Sequence, residues 1–86
     1  MGIRFTDSTA KHGLTPDQIT YAMQNHWVWV KEFDHSRNPG GPRPDLMIGP
    51  HPETGQLLEI MLERRPGSIR VFHAMPLRDK FRHYLD

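Results

Sequence analysis

No cysteine occurs among the 86 residues. That excludes disulfides, thiolate metal sites and thiol nucleophiles, and it fits a reducing compartment without requiring one. No apolar run approaches the roughly 18 residues of a membrane span, and the N-terminus has no basic stretch leading into an apolar segment. A cytoplasmic chain with no membrane partner is therefore expected. Familiar signatures are missing too: there is no Gly-rich phosphate loop, no dinucleotide fingerprint and no HExxH. Ser8, Ser36 and Ser68 lack the elbow context of a hydrolase serine. The six histidines, His12, His26, His35, His51, His73 and His83, form no H-x-H or i, i+4 pair on one element, so neither a metal nor another cofactor is expected.

A chain of 86 residues reads as one domain, 1–86, with a single modest core, since a chain of this size buries only about 60–65% of its unfolded surface. The net charge of +1 hides an asymmetry. Residues 1–63 carry five Lys/Arg against eight Asp/Glu, whereas residues 64–86 carry six against two. A basic C-terminal end suits a polyanion or an acidic partner protein, and equally a solvated charged face.

Ile3-Arg4-Phe5 reads as a short edge strand, with a brief helix over Ser8 to His12, started by Thr6 or Asp7 and closed by Gly13. Thr15-Pro16-Asp17-Gln18 is a strong helix start: Thr as N-cap, Pro at the first helical position, Gln completing a capping box, and Leu14 with Ile19 as a hydrophobic staple. Ile19, Ala22, Met23 and His26 then fall on one face. From Trp27 to Phe33 the period changes to that of a strand. Asp34 to Pro44 is a Pro/Gly-rich loop, Asp45 to Gly49 a short strand, and Pro50 to Gly55 a second loop.

The rest of the chain is organised around Gln56 to Tyr84. Leu58, Ile60 and Leu62 alternate with Leu57, Glu59, Met61 and Glu63, the period-2 pattern of a strand. Ile69 to Met75 repeats the pattern, and Arg64-Arg65-Pro66-Gly67 fits a four-residue hairpin connection. Pairing Glu63 with Ser68 predicts one apolar face of Leu58, Ile60, Leu62, Ile69, Val71 and His73, and an opposite face of Glu59, Arg70 and Phe72. A helix from about Pro76 turns Leu77, Phe81 and Leu85 to the sheet and leaves Arg78, Lys80, Arg82 and His83 toward solvent or a partner, with Asp79 able to pair with Arg82 or His83. The class is α+β: a small antiparallel sheet, a meander of three or four strands, flanked by N-terminal helices and one C-terminal helix.

These residue types suffice for metal-free RNA cleavage. There the ribose 2′-OH attacks the adjacent phosphorus, and the protein supplies a base, cations for the developing charge and an acid for the leaving oxygen. The need for a 2′-OH selects RNA over DNA.

Lys11-His12-Gly13-Leu14 before a capped helix, then Ile48-Gly49, Gly55-Gln56-Leu57-Leu58-Glu59-Ile60, and Val71-Phe72-His73-Ala74-Met75 before a basic final helix, together resemble the BrnT family. Its members are the ribonuclease toxins of bacterial type II toxin–antitoxin pairs, with a RelE-like fold. The resemblance spans nearly the whole chain in the same order. It implies RNA, including mRNA, as substrate, a cognate antitoxin as partner, and assembly either as a homodimer or as a hetero-oligomer with that antitoxin. Many members carry Ser-Ala-Arg where this chain reads His73-Ala74-Met75, and a Glu about where Phe81 falls. Either Arg78 or Lys80 takes over from that arginine, or activity is altered or absent.

The catalytic candidates are His73, His12, Lys11, Glu59 and Tyr84; the RNA-binding candidates are Arg70, Arg78, Lys80 and Arg82. Each has a plainer alternative. Lys11 and His12 fit a helix C-terminus, His73 a satisfied core histidine, Glu59 and Arg70 a cross-strand ion pair, the basic helix a solvated face, and Tyr84 a helix-end anchor. Trp27 and Trp29 are core or interface residues, or base-stacking platforms. Expected is a metal-independent endoribonuclease; the competing expectation is a binding module that holds nucleic acid or protein on the same basic helix without cleaving it.

Overall fold

Leu58, Ile60 and Leu62 join one apolar cluster while Leu57 and Met61, their neighbours on the same strand, join a second. A strand that is apolar on both sides has to be covered on both. The computed structural model describes residues 2–36 and 38–86 and accomplishes this with a central sheet between helices. The strands are β1 (Gly2–Phe5), β2 (Val28–Val30), β3 (Asp45–Pro50), β4 (Leu57–Arg65) and β5 (Ser68–Pro76), in the order β1-β5-β4-β3-β2. Helix α1 (Pro16–Gln24) covers one face with Ile19, Ala22 and Met23. A C-terminal 3₁₀ helix (Asp79–Leu85) covers the other with Phe81, supported by Leu77, Tyr84 and Leu85.

Helix α1 starts where its sequence signals place it. The Thr15 side chain accepts from the Gln18 backbone N–H, the Gln18 side chain accepts from the Thr15 N–H, and Pro16 opens the helix, a cap of about 1 kcal/mol. Its close seat on β3 depends on Gly49, where a Cβ would overlap the backbone carbonyl of Ala22. A first 3₁₀ helix (Asp7–His12) follows β1 and ends at Gly13 in the left-handed conformation, φ 76°. Thr6 occupies its N-cap position without a side-chain cap bond. Among the described residues no helix is long and apolar enough to cross a membrane.

Several expectations are corrected. The sheet has five strands, not three or four, and it is mixed rather than antiparallel, because β1 runs parallel to β5 at the edge. Nothing local in Ile3-Arg4-Phe5 chooses its partner or direction; the path of the chain over the sheet does. The strand expected over Trp27 to Phe33 shrinks to β2, leaving Trp27 65% exposed. Helix α1 stops at Gln24, so His26 is exposed, with its Nδ1 at 2.7 Å and its backbone N–H at 3.4 Å from the Met23 carbonyl and its ring edge to face with Trp29. The final helix is 3₁₀ and begins at Asp79, not near Pro76, since β5 runs through Pro76. Arg37, inside the expected loop from Asp34 to Pro44, lies outside the described residues.

The hairpin connection is two residues, not four. Arg65 pairs with Ser68 across Pro66-Gly67, with Gly67 at φ 73°. This shifts the register by two, which keeps side chains on their faces. A second shift does not. Leu62 faces Val71 but Met61 faces His73, so Phe72 is an extra residue on β5. Such a bulge turns every later side chain over to the opposite face. His73 therefore leaves the Leu58, Ile60 and Leu62 face expected for it and joins Glu59.

Candidate functional site

The bulge is held by the chain segment beside it. β1 ends at Phe5; the Thr6 N–H then bonds the Val71 carbonyl at 2.9 Å, and Ser8 Oγ donates to the Phe72 carbonyl at 2.6 Å. The first 3₁₀ helix thus takes the place of a fifth ladder rung and carries Lys11 and His12 along the edge of β5. The His12 and His73 rings come within 6.5 Å of each other, edge to face at 71°. Lys11, Ser8 and His73 line one cavity of about 380 Å³, together with Met61, Phe72 and the loop residues Phe33, Asp34 and His35.

Glu59 is the hub beneath this cavity. Its side chain is 0% exposed, a placement that costs several kcal/mol for a charge unless it is paired and hydrogen-bonded. Both oxygens are fully engaged. Oε1 accepts the Arg78 backbone N–H at 2.8 Å and Nε at 3.1 Å; Oε2 accepts Arg78 Nη2 at 2.6 Å and His73 Nε2 at 2.9 Å. Burial pushes the carboxyl up, but the hydrogen bonds from the Arg78 guanidinium and backbone, and from His73, outweigh it and hold Glu59 below its ordinary value. Bonding to Glu59 in turn holds Arg78 above the usual arginine range. An ionised carboxylate only accepts, so the proton between Glu59 and His73 sits on Nε2. The Nδ1 of His73 makes no hydrogen bond to a described residue.

Of the residues picked from sequence, the fold brings His73, Glu59, His12, Lys11 and Arg78 together. It does not bring Tyr84, which is half-buried in the second cluster, stacked on Phe81 and touching the His83 ring at 4.1 Å between centroids. Lys80 lies over the Phe81 ring at 5.0 Å, and Arg82 pairs with exposed Asp79 at 3.0 Å. Arg78 turns its guanidinium onto the buried Glu59 carboxylate while 40% of its side chain stays exposed. Arg70 pairs with Glu63 at 3.1 Å, not with Glu59, since the register sets Glu63 opposite Arg70. Trp29 is held by its Nε1–H on Asp45 at 2.8 Å.

Sequence reading missed Ser8, which lines the cavity and ties down the bulge, and nothing in its local sequence signals either role. It also missed that three acidic side chains are buried. Asp45 and Glu59 are 0% exposed and Glu63 2%, each paired to arginine: Asp45 to Arg64, Glu59 to Arg78, Glu63 to Arg65 and Arg70. Four C-terminal arginines are thereby matched by acids from the first 63 residues, so much of the charge asymmetry is folded against itself. Among the described residues no three His, Asp or Glu side chains are grouped to hold a metal ion. Comparison of the chain with models of protein families, with curated proteins and with solved structures finds no match.

Proposed function

We propose that this chain is an endoribonuclease that needs no metal, with His73 and His12 as the proton-transfer pair. The observation that carries the reading is that His73 and Lys11, from elements far apart in sequence, line one cavity, with the His12 ring 6.5 Å from that of His73 and the Glu59 carboxylate bonded behind it. The Nδ1 of His73 takes the proton of the ribose 2′-OH as its oxygen attacks the adjacent phosphorus, and Glu59 balances the resulting imidazolium. His12 gives a proton to the departing 5′ oxygen. Lys11 neutralises the non-bridging oxygens in the transition state. The products are a 2′,3′-cyclic phosphate and a free 5′-hydroxyl. Glu59 positions His73 and does not touch substrate; Arg78 positions Glu59.

The role as toxin of a type II pair, with a BrnT- or RelE-like fold and a cognate antitoxin, is supported by the order of motifs along the chain. In this role the antitoxin covers the His73 cavity.

A non-catalytic binding module is the second reading. It is favoured by the engagement of Arg78 with Glu59, which leaves Lys11 as the one Lys or Arg lining the cavity among the described residues. Incubating the purified chain with single-stranded RNA in EDTA separates the two. Cyclic-phosphate ends that vanish in His73→Ala support cleavage. RNA that stays intact at micromolar protein, with no growth defect on expression, rejects it.

A further inference from the structure

A second concavity lies on the same sheet face as His73. The parallel register sets Arg4 of β1 directly beside Arg70 of β5, and Arg65 reaches in from the end of β4. With Thr6 and Ser68 they line a cavity of about 490 Å³. Glu63, 2% exposed, binds Arg65 Nη2 at 3.0 Å and Arg70 Nη1 at 3.1 Å through a single oxygen, Oε1. That bond pre-orients two guanidiniums without neutralising both. The Arg4 guanidinium has no hydrogen bond or ion pair among the described residues, so three cations stand against one carboxylate, a local balance of +2. Guanidinium forks flanked by hydroxyls match phosphate oxygens.

The location gives the cavity its direction. Glu59 and Glu63 are four apart on β4 and share a face, so Arg70 and His73 look out on the same side. They are three residues apart on β5, roughly 10 Å along the strand. We propose that Arg4, Arg65 and Arg70 form a second, non-catalytic phosphate subsite that holds the backbone of a single-stranded RNA whose cleavable linkage lies at His73. The inference rests on the RNA reading of the His73 cavity and adds to it the direction in which the strand runs, along β5 toward the hairpin turn.

The test uses a fully 2′-O-methylated RNA of about 8 nucleotides, within the range one single-strand site covers; lacking a free 2′-OH, it binds but cannot be cut. Arg4→Ala is the informative variant, because removing an exposed guanidinium without described partners leaves Glu63 paired. It should weaken binding about tenfold and lower the log–log salt slope by about 0.7, the share of one single-strand phosphate. Arg4→Lys should restore most of the slope. Replacing single linkages by neutral methylphosphonates should reveal one position, away from the cleavage point, that matters to the wild-type chain and not to Arg4→Ala. Unchanged affinity and slope in Arg4→Ala overturn the subsite, as does a wild-type chain that does not retain the strand, which would leave the arginines to an acidic protein surface. The two readings fail separately. Arg4-dependent binding without cleavage of unmodified RNA sinks the nuclease and keeps the subsite; cleavage with an indifferent Arg4 does the reverse.

Discussion

Arg78 donates three of its nitrogens, one from the backbone and two from the guanidinium, to the single carboxylate of Glu59. The residue that opens the C-terminal 3₁₀ helix is therefore bolted to the middle of β4, and the same carboxylate fixes His73 from its other side. Stability and site geometry share one group.

Removing one partner should cost more than removing both. Arg78→Ala leaves Glu59 buried with only His73 and a backbone N–H. Breaking a fully buried pair costs about 3–5 kcal/mol, but the Arg78 side chain is 40% exposed, so about 2 kcal/mol is expected. The double variant Glu59→Leu with Arg78→Met should lie within about 1 kcal/mol of the wild type. Urea midpoints of the three chains decide this, and equal losses in the single and double variants would refute it.

Acid should unfold the chain partly through Glu59. Its carboxyl lies below the ordinary value in the folded state, so the unfolded chain binds more protons in the window between the two values and stability rises with pH there. The contribution is complete above the unfolded value, about 4.3, and is lost as pH falls through the folded one. Glu59→Gln should be less stable near neutrality yet lose less on acidification, a convergence visible in urea midpoints taken from about pH 6 down to pH 3.

His73→Ala and His12→Ala should each lower cleavage at least a hundredfold, the lower range for removing a general acid or base. Lys11→Ala should act on the rate at saturating RNA more than on affinity, since its charge is used as the phosphorane forms. Cyclic-phosphate yield measures all three, and thermal melts unchanged by more than a few degrees show that the loss is chemical.

Gly49→Ala should destabilise by about 3 kcal/mol, because the new methyl would overlap the Ala22 carbonyl and push α1 off β3. Hydrogen exchange localises the damage: amides of α1 should lose protection before those of β4 and β5.

Much of the fold was legible because its causes are local. Thr15, Pro16 and Gln18 announce the start of α1, Gly13 ends the first 3₁₀ helix, and the alternation around Leu58 and Ile60 marks a strand whatever it pairs with. The number of strands and the direction of β1 were not legible. A four-residue edge strand carries no record of its partner, and β5 lies more than 60 residues away in sequence.

The candidate site divides the same way. Residue types alone determined that His12, Lys11, His73 and Glu59 could support acid–base chemistry and that thiol chemistry could not occur. The tertiary structure decided which of them meet. One extra residue at Phe72, tied down by Ser8, turns His73 from the α1 face to Glu59. Burial of Asp45, Glu59 and Glu63 draws in four arginines that composition alone assigns to the surface. A strand's face depends on the parity of its register and a charge's availability depends on its partner; both are properties of pairs distant in sequence, which no local pattern encodes.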